Sequence, residues 1–111
     1  MEATITKITS ADLAGALPPM RAGADKAASE VKVPVKLFSP VGAATWWLTE
    51  YDPDEDRAFG YCDLGHGCAE LGYVSITELR EVTLPFGLCI ERDIHWDPET
   101  TLEAVMAGEA R

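Results

Sequence analysis

From Val33 onward the chain repeats one pattern: a short run with apolar residues at every second position, closed by Pro, Gly or Asp. A period of two belongs to β-strands, and runs this short between turn-forming residues read as antiparallel hairpins. Val33, Val35 and Leu37 alternate with Pro34, Lys36 and Phe38. Pro34 has no N–H to give to a ladder, so this strand begins there or lies at a sheet edge. Ser39-Pro40-Val41-Gly42 is turn chemistry, and residues 45–51 read as the returning strand. Asp52-Pro53-Asp54-Glu55-Asp56 turns the chain again, residues 59–62 form a third strand, and residues 71–74 a fourth.

Ser75-Ile76-Thr77-Glu78 has the spacing of a capping box, which predicts a helix over residues 76–82. Residues 88–96 then alternate as a fifth strand, with Leu88, Ile90, Arg92, Ile94 and Trp96 on one face and Cys89, Glu91, Asp93 and His95 on the other. Thr100-Thr101-Leu102-Glu103 starts a terminal helix with Leu102, Val105 and Met106 as its apolar stripe. Ahead of Val33, Ser10 caps a short helix over residues 11–17, which Pro18-Pro19 ends. The expected fold is therefore α+β: an antiparallel meander of about five strands with two or three short helices. Residues 1–32 read as an N-terminal helix and linker, and residues 33–111 as an acidic core domain.

Charge divides along the same line. Residues 1–32 balance four bases with four acids, whereas residues 33–111 set five bases against fifteen acids and hold the whole net charge of −10. Such a surface repels phosphate, which argues against direct nucleic-acid binding and for a basic protein partner. No apolar run approaches the ~20 residues that span a bilayer. The opening MEATITKITS lacks the basic and apolar segments of a secretory signal. Three cysteines, an odd number, fit cytoplasmic thiols better than a disulfide framework.

Four groups of residues have chemistry worth weighing. Cys62, His66 and Cys68, with Cys89 or His95 as a fourth, are zinc-type ligands, but their spacing matches no structural zinc motif. The plainer reading is two small thiols and a loop histidine, so no cofactor or metal is expected. Asp52, Asp54, Asp56 and Asp63 fall at ligand positions of a calcium loop. However, Arg57 stands where that loop needs Gly, and a strand follows where it needs a helix. Glu91, Asp93 and His95 share one strand face at steps of ~7 Å, too far apart to hydrogen-bond directly. Any acid–base role for them requires partners from elsewhere. Arg92 is expected on the packed face, in a buried ion pair or on an anion at the core's edge. Finally, Glu50, Asp52, Asp54, Glu55 and Asp56 place five acids within seven residues beside Trp46 and Trp47, one of which could face solvent as a contact anchor.

Several segments together resemble a known family. They are Pro34-Val35-Lys36-Leu37-Phe38-Ser39-Pro40, Thr45-Trp46-Trp47-Leu48-Thr49-Glu50, Phe59-Gly60, Glu70-Leu71-Gly72-Tyr73-Val74-Ser75 with Glu78-Leu79, and Gly87-Leu88-Cys89-Ile90-Glu91-Arg92-Asp93. Taken in order over residues 33–106, they resemble a small bacterial domain family of unknown function carried on plasmids, phages and integrative elements. The resemblance implies a mobile-element setting, where small acidic proteins often counter restriction or CRISPR defence. It carries no activity and no catalytic residues.

The reading that follows is a non-enzymatic interaction module. It binds a basic protein, such as a nucleic-acid-guided host nuclease, through Trp46, Glu50, Asp52, Asp54, Glu55, Asp56, Glu91 and Asp93. One alternative is a small hydrolase or transferase built on Glu91, Arg92, Asp93 and His95. Another is an accessory module of plasmid maintenance or transfer.

Overall fold

Trp46 and Trp47 are adjacent in one strand, so their side chains leave opposite faces of the sheet, and each becomes part of a separate core. A computed structural model of the chain describes residues 8–110. The domain limits at residues 1–7 and 111 lie outside the described residues. Five strands, β1 (Val35–Phe38), β2 (Thr45–Asp52), β3 (Arg57–Asp63), β4 (Glu70–Ser75) and β5 (Glu91–Arg92), form one sheet in the order β4-β3-β2-β1-β5. Every pairing in it is antiparallel. The first four strands are the expected meander, and β5 returns to the outer side of β1. With its three helices the fold is α+β.

Helix α1 (Ser10–Ala16) and helix α2 (Ile76–Glu81) contribute to the larger core. There Leu13, Leu17, Ile76 and Leu79 pack with Val35, Leu37, Trp46, Leu48, Tyr51 and Ala58. Ile8, Leu13 and Leu17 are buried in this core, so the segment ahead of β1 is built into the same domain as the sheet. Thr9 rather than Ser10 caps α1, its hydroxyl accepting from the Asp12 amide, and the helix starts one residue earlier than expected. Ser75 caps α2 by accepting from the Glu78 amide at 3.2 Å, as the capping box predicts.

The opposite face holds a smaller cluster of Val33, Trp47, Leu102 and Val105. Helix α3 (Leu102–Met106) lies over it with a short 3₁₀ turn at Ala28–Glu30. The two are stitched together by the Leu102 amide on the Val31 carbonyl and the Val33 amide on the Thr100 carbonyl, both at 2.8 Å. None of the described helices is long and apolar enough to cross a membrane.

The C-terminal strand departs most from expectation. Only Glu91–Arg92 pair with β1, where residues 88–96 were expected to run as one strand. Side-chain and turn hydrogen bonds take over after Arg92: the Asp93 carboxylate accepts from the His95 amide at 2.9 Å, and the Trp96 amide donates to the Asp93 carbonyl. The chain therefore bends out of the sheet. Ile90 stays in the larger core, Ile94 points to solvent, and Trp96 joins the smaller cluster with its indole N–H on the Val33 carbonyl at 2.7 Å.

Candidate functional site

Period-two alternation alone would set Trp46, Leu48 and Glu50 on one face and bury a carboxylate in the larger core. A β-bulge between Leu48 and Glu50 prevents this. Leu48 pairs with Gly60 and Glu50 with Phe59, leaving Thr49 as the extra residue, its hydroxyl on the Phe59 carbonyl. The face assignment flips. Tyr51 enters the larger core opposite Ala58, and Glu50 turns to the other face beside Phe59. Gly60 makes the bulge possible, because a Cβ there would lie 2.1 Å from the Trp47 carbonyl oxygen.

Once turned, the Glu50 carboxylate is only 7% exposed as part of its residue, and it accepts the Arg21 amide at 2.7 Å and the Gly23 amide at 2.8 Å. Arg21 has a left-handed backbone (φ 72°), which lets these two nearby N–H groups converge on one anion. The neighbouring Tyr51 amide bonds the Pro18 carbonyl. Glu50 and Tyr51 thus fasten the 18–23 segment to the sheet.

That segment forms one wall of a groove of about 340 Å³ on the face of the smaller cluster. Phe59, Leu71 and Tyr73 from β3 and β4 line it together with Met106 from α3, while Arg21 and Lys26 stand at its rim. Helix α3 and the 3₁₀ turn cover this face over Trp47, but β3 and β4 remain open. Tyr73 is 59% exposed, Leu71 42% and Met106 41%. The patch is ordered by its own contacts: Phe59 and Tyr73 meet edge to face at 5.0 Å between centroids, and the Arg57 guanidinium lies 5.0 Å from the Tyr73 ring. Burial and tertiary pairing, rather than any motif, bring these residues together.

The acidic run is divided by the same geometry. Glu50 faces inward as described. Asp56 also faces inward, accepting from Ser10, Tyr51, Thr77 and Arg80. The Arg80 guanidinium and the Tyr51 and Thr77 hydroxyls hold the Asp56 carboxyl well below the usual carboxylate range, despite the opposing effect of burial. Asp52 accepts from the Asp54 amide and shapes the β2–β3 turn, so within this run only Asp54 and Glu55 are exposed. Trp46 and Trp47 are both buried, so Trp46 is not an exposed anchor, and the inward bonds of Glu50 and Asp56 take them out of an outward acidic ladder. Alternation cannot reveal this, because the bulge and the network are tertiary.

Of the residues proposed for catalysis, Arg92 lies on the face opposite Glu91, and the row of acids ends where the chain turns after Arg92. Glu91 lies beside Phe38 in the sheet and Arg92 beside Leu37. Asp93 pairs with Lys36, and His95 is exposed in the turn. Arg92 is half-buried and forms no ion pair among the described residues, so the expected buried pair is absent there. Cys62 faces the larger core, whereas His66 and Cys68 are exposed in the following loop, and no three potential metal ligands converge among the described residues. Burial, and then the charge of Glu70, push the Cys62 thiol up, the opposite of what a nucleophilic thiolate needs.

The groove offers recognition chemistry: aromatic and aliphatic area, two rim cations and an adjacent strand edge. No curated protein matches the chain, and neither does any solved structure. The family model described as "Protein of unknown function (DUF2958)" matches residues 8–111, and the chain belongs to that family.

Proposed function

We propose that this protein is a non-enzymatic protein-interaction module whose contact surface is the open part of the sheet over β3 and β4. The observation that carries the reading is the patch of Leu71, Tyr73 and Met106 around Phe59, apolar area left uncovered on a chain with a net charge of −10. Large rigid aromatics supply contact area at low entropic cost, and they are the residues that dominate interface energies. In the groove the one carboxylate, Glu50, is already held by two amides, so no acid–base pair converges on a bound molecule. The setting implied by the resemblance, a mobile element acting on a protein of its bacterial host, is part of the proposal. The test is capture from host lysate by full-length protein. Wild type and Asp54→Asn/Glu55→Gln should retain the same partner, and Leu71→Asp/Tyr73→Asp should lose it. Capture unaffected by the patch variant, or a turnover on small substrates, would defeat the reading.

A second reading is favoured by the exposed Asp54 and Glu55 on the β2–β3 turn. There the acidic turn engages a basic protein, such as a nucleic-acid-guided host nuclease. Capture should then weaken steeply with salt and fall in Asp54→Asn/Glu55→Gln.

A further inference from the structure

β4 is an edge strand: β3 lies on one side, and no strand pairs with the other among the described residues. Natural edge strands are usually blunted by Pro, Lys, a bulge or a covering element. β4, Glu-Leu-Gly-Tyr-Val-Ser, has no Pro or Lys, its one charge, Glu70, stands at its first residue, and its register with β3 runs without a shift from Arg57↔Ser75 to Cys62↔Glu70. Glu70, Leu71 and Tyr73 are exposed along it. The strand therefore presents a straight row of backbone donors and acceptors, with Leu71 and Tyr73 on the face that carries the groove.

The charge around that groove differs from the rest of the surface. Arg21 and Lys26 are exposed at its rim, and neither forms an ion pair among the described residues. Arg57 lies over the Tyr73 ring on the same face. These three cations outnumber the two acids at the same place: Glu50 in the groove, already held by two amides, and Glu70 at the start of β4. The edge is therefore complementary to an anionic ligand. A second copy is a poorer fit, because symmetric pairing through this edge would set the same cations against one another.

We propose that the partner binds by adding an extended segment to the outer edge of β4, with carboxylates and an aromatic or aliphatic residue on its groove-facing side. The inference rests on the protein-interaction reading and names its mode. Backbone pairing to β4 supplies affinity, Tyr73 and Leu71 receive the apolar side chain, and Arg21, Lys26 and Arg57 select the acids.

The test uses full-length protein and three synthetic peptides: a repeated Glu-Thr-Phe-Thr sequence, the same sequence with Lys for Glu, and the Glu peptide N-methylated at alternate residues. Binding is read by fluorescence anisotropy and by hydrogen exchange of the β4 amides. The Glu peptide should bind at least about tenfold more tightly than the Lys peptide. It should slow exchange at alternate β4 amides, and N-methylation should abolish both effects. Equal binding of the methylated peptide would mean side-chain docking without strand addition, and would overturn the proposal. So would preference for the Lys peptide, absence of binding at millimolar peptide, or a concentration-dependent dimer that protects β4 without peptide. If lysate capture still depends on Leu71 and Tyr73 while the peptides fail, only this inference falls.

Discussion

Arg80 grips both oxygens of Asp56, with one terminal nitrogen at 2.8 Å from Oδ2 and the other at 3.2 Å from Oδ1. Its Nε reaches the Ile8 carbonyl at 2.8 Å, and Ser10, Tyr51 and Thr77 complete the shell around the carboxylate. One side chain in the β2–β3 turn thus joins the start of α1, the core tyrosine of β2 and helix α2. Asp56→Ala would take the carboxylate from the guanidinium and the acceptor from three hydroxyls, leaving Arg80 only the Ile8 carbonyl and the Ser10 hydroxyl. Urea unfolding should show a loss of about 2–4 kcal/mol, a range that allows for solvent screening of the half-exposed Arg80.

The same group sets an acid limit. The Asp56 carboxyl is held well below its ordinary range, chiefly by Arg80, so the unfolded chain takes up its proton first as pH falls. Its stabilisation is complete above the ordinary carboxylate pKa of about 3.9 and is lost progressively below it. Melting temperatures measured from neutral pH down through that range should fall more steeply for wild type than for Asp56→Asn. Parallel curves would show that Asp56 contributes no pH dependence.

Two glycines of the sheet should respond oppositely to alanine. A Cβ at Gly60 would sit 2.1 Å from the Trp47 carbonyl oxygen, and both neighbours are backbone in a bulged pair. Gly60→Ala should cost more than about 3 kcal/mol or prevent folding. Gly72 has nothing within 4 Å of the same position. There the loss of unfolded-state freedom dominates, and Gly72→Ala should be neutral or gain up to about 1 kcal/mol by denaturant titration.

Glu50→Ala should act on a different part of the molecule. Removing the carboxylate leaves the Arg21 and Gly23 amides without their acceptor and releases the left-handed Arg21 from the anion that holds it. Hydrogen exchange at residues 21–23 should accelerate markedly, with a global loss of about 2–3 kcal/mol. Glu50→Gln, which keeps one carbonyl acceptor, should fall between the two.

Phe86 is a residue whose replacement should help folding. It has a left-handed backbone (φ 63°) ahead of Gly87 at φ 74°, and it is 95% exposed in the turn between α2 and β5. A bulky aromatic in that conformation costs about 1 kcal/mol or more, and its ring buries almost nothing in return. Phe86→Asn should raise the melting temperature by a few degrees.

The strand pattern was legible because the open-and-turn rhythm of residues 33–75 is local: alternation sets the strands, and Pro, Gly and Asp close them. Ser75 was readable as a cap for the same reason. What could not be read is what depends on tertiary pairing. The bulge at Thr49 turns Glu50 from the larger core to the groove, and its only sequence trace is Gly60, a small residue opposite a strand interior. The alternation of residues 88–96 was real, but Asp93 bends the backbone after two paired residues, so Trp96 crosses to the other cluster. The acids of the β2–β3 turn looked alike in sequence. Only the arrival of Arg80 and the 21–23 amides separates those that hold the fold from those that face solvent.

Hydrogen-exchange footprinting of the full-length protein in complex with its captured partner tests the proposed contact surface most directly. Protection should appear along residues 70–75 and at Phe59, on the uncovered side of the sheet. Protection confined to residues 52–56, with β4 exchanging as in the free protein, would contradict it.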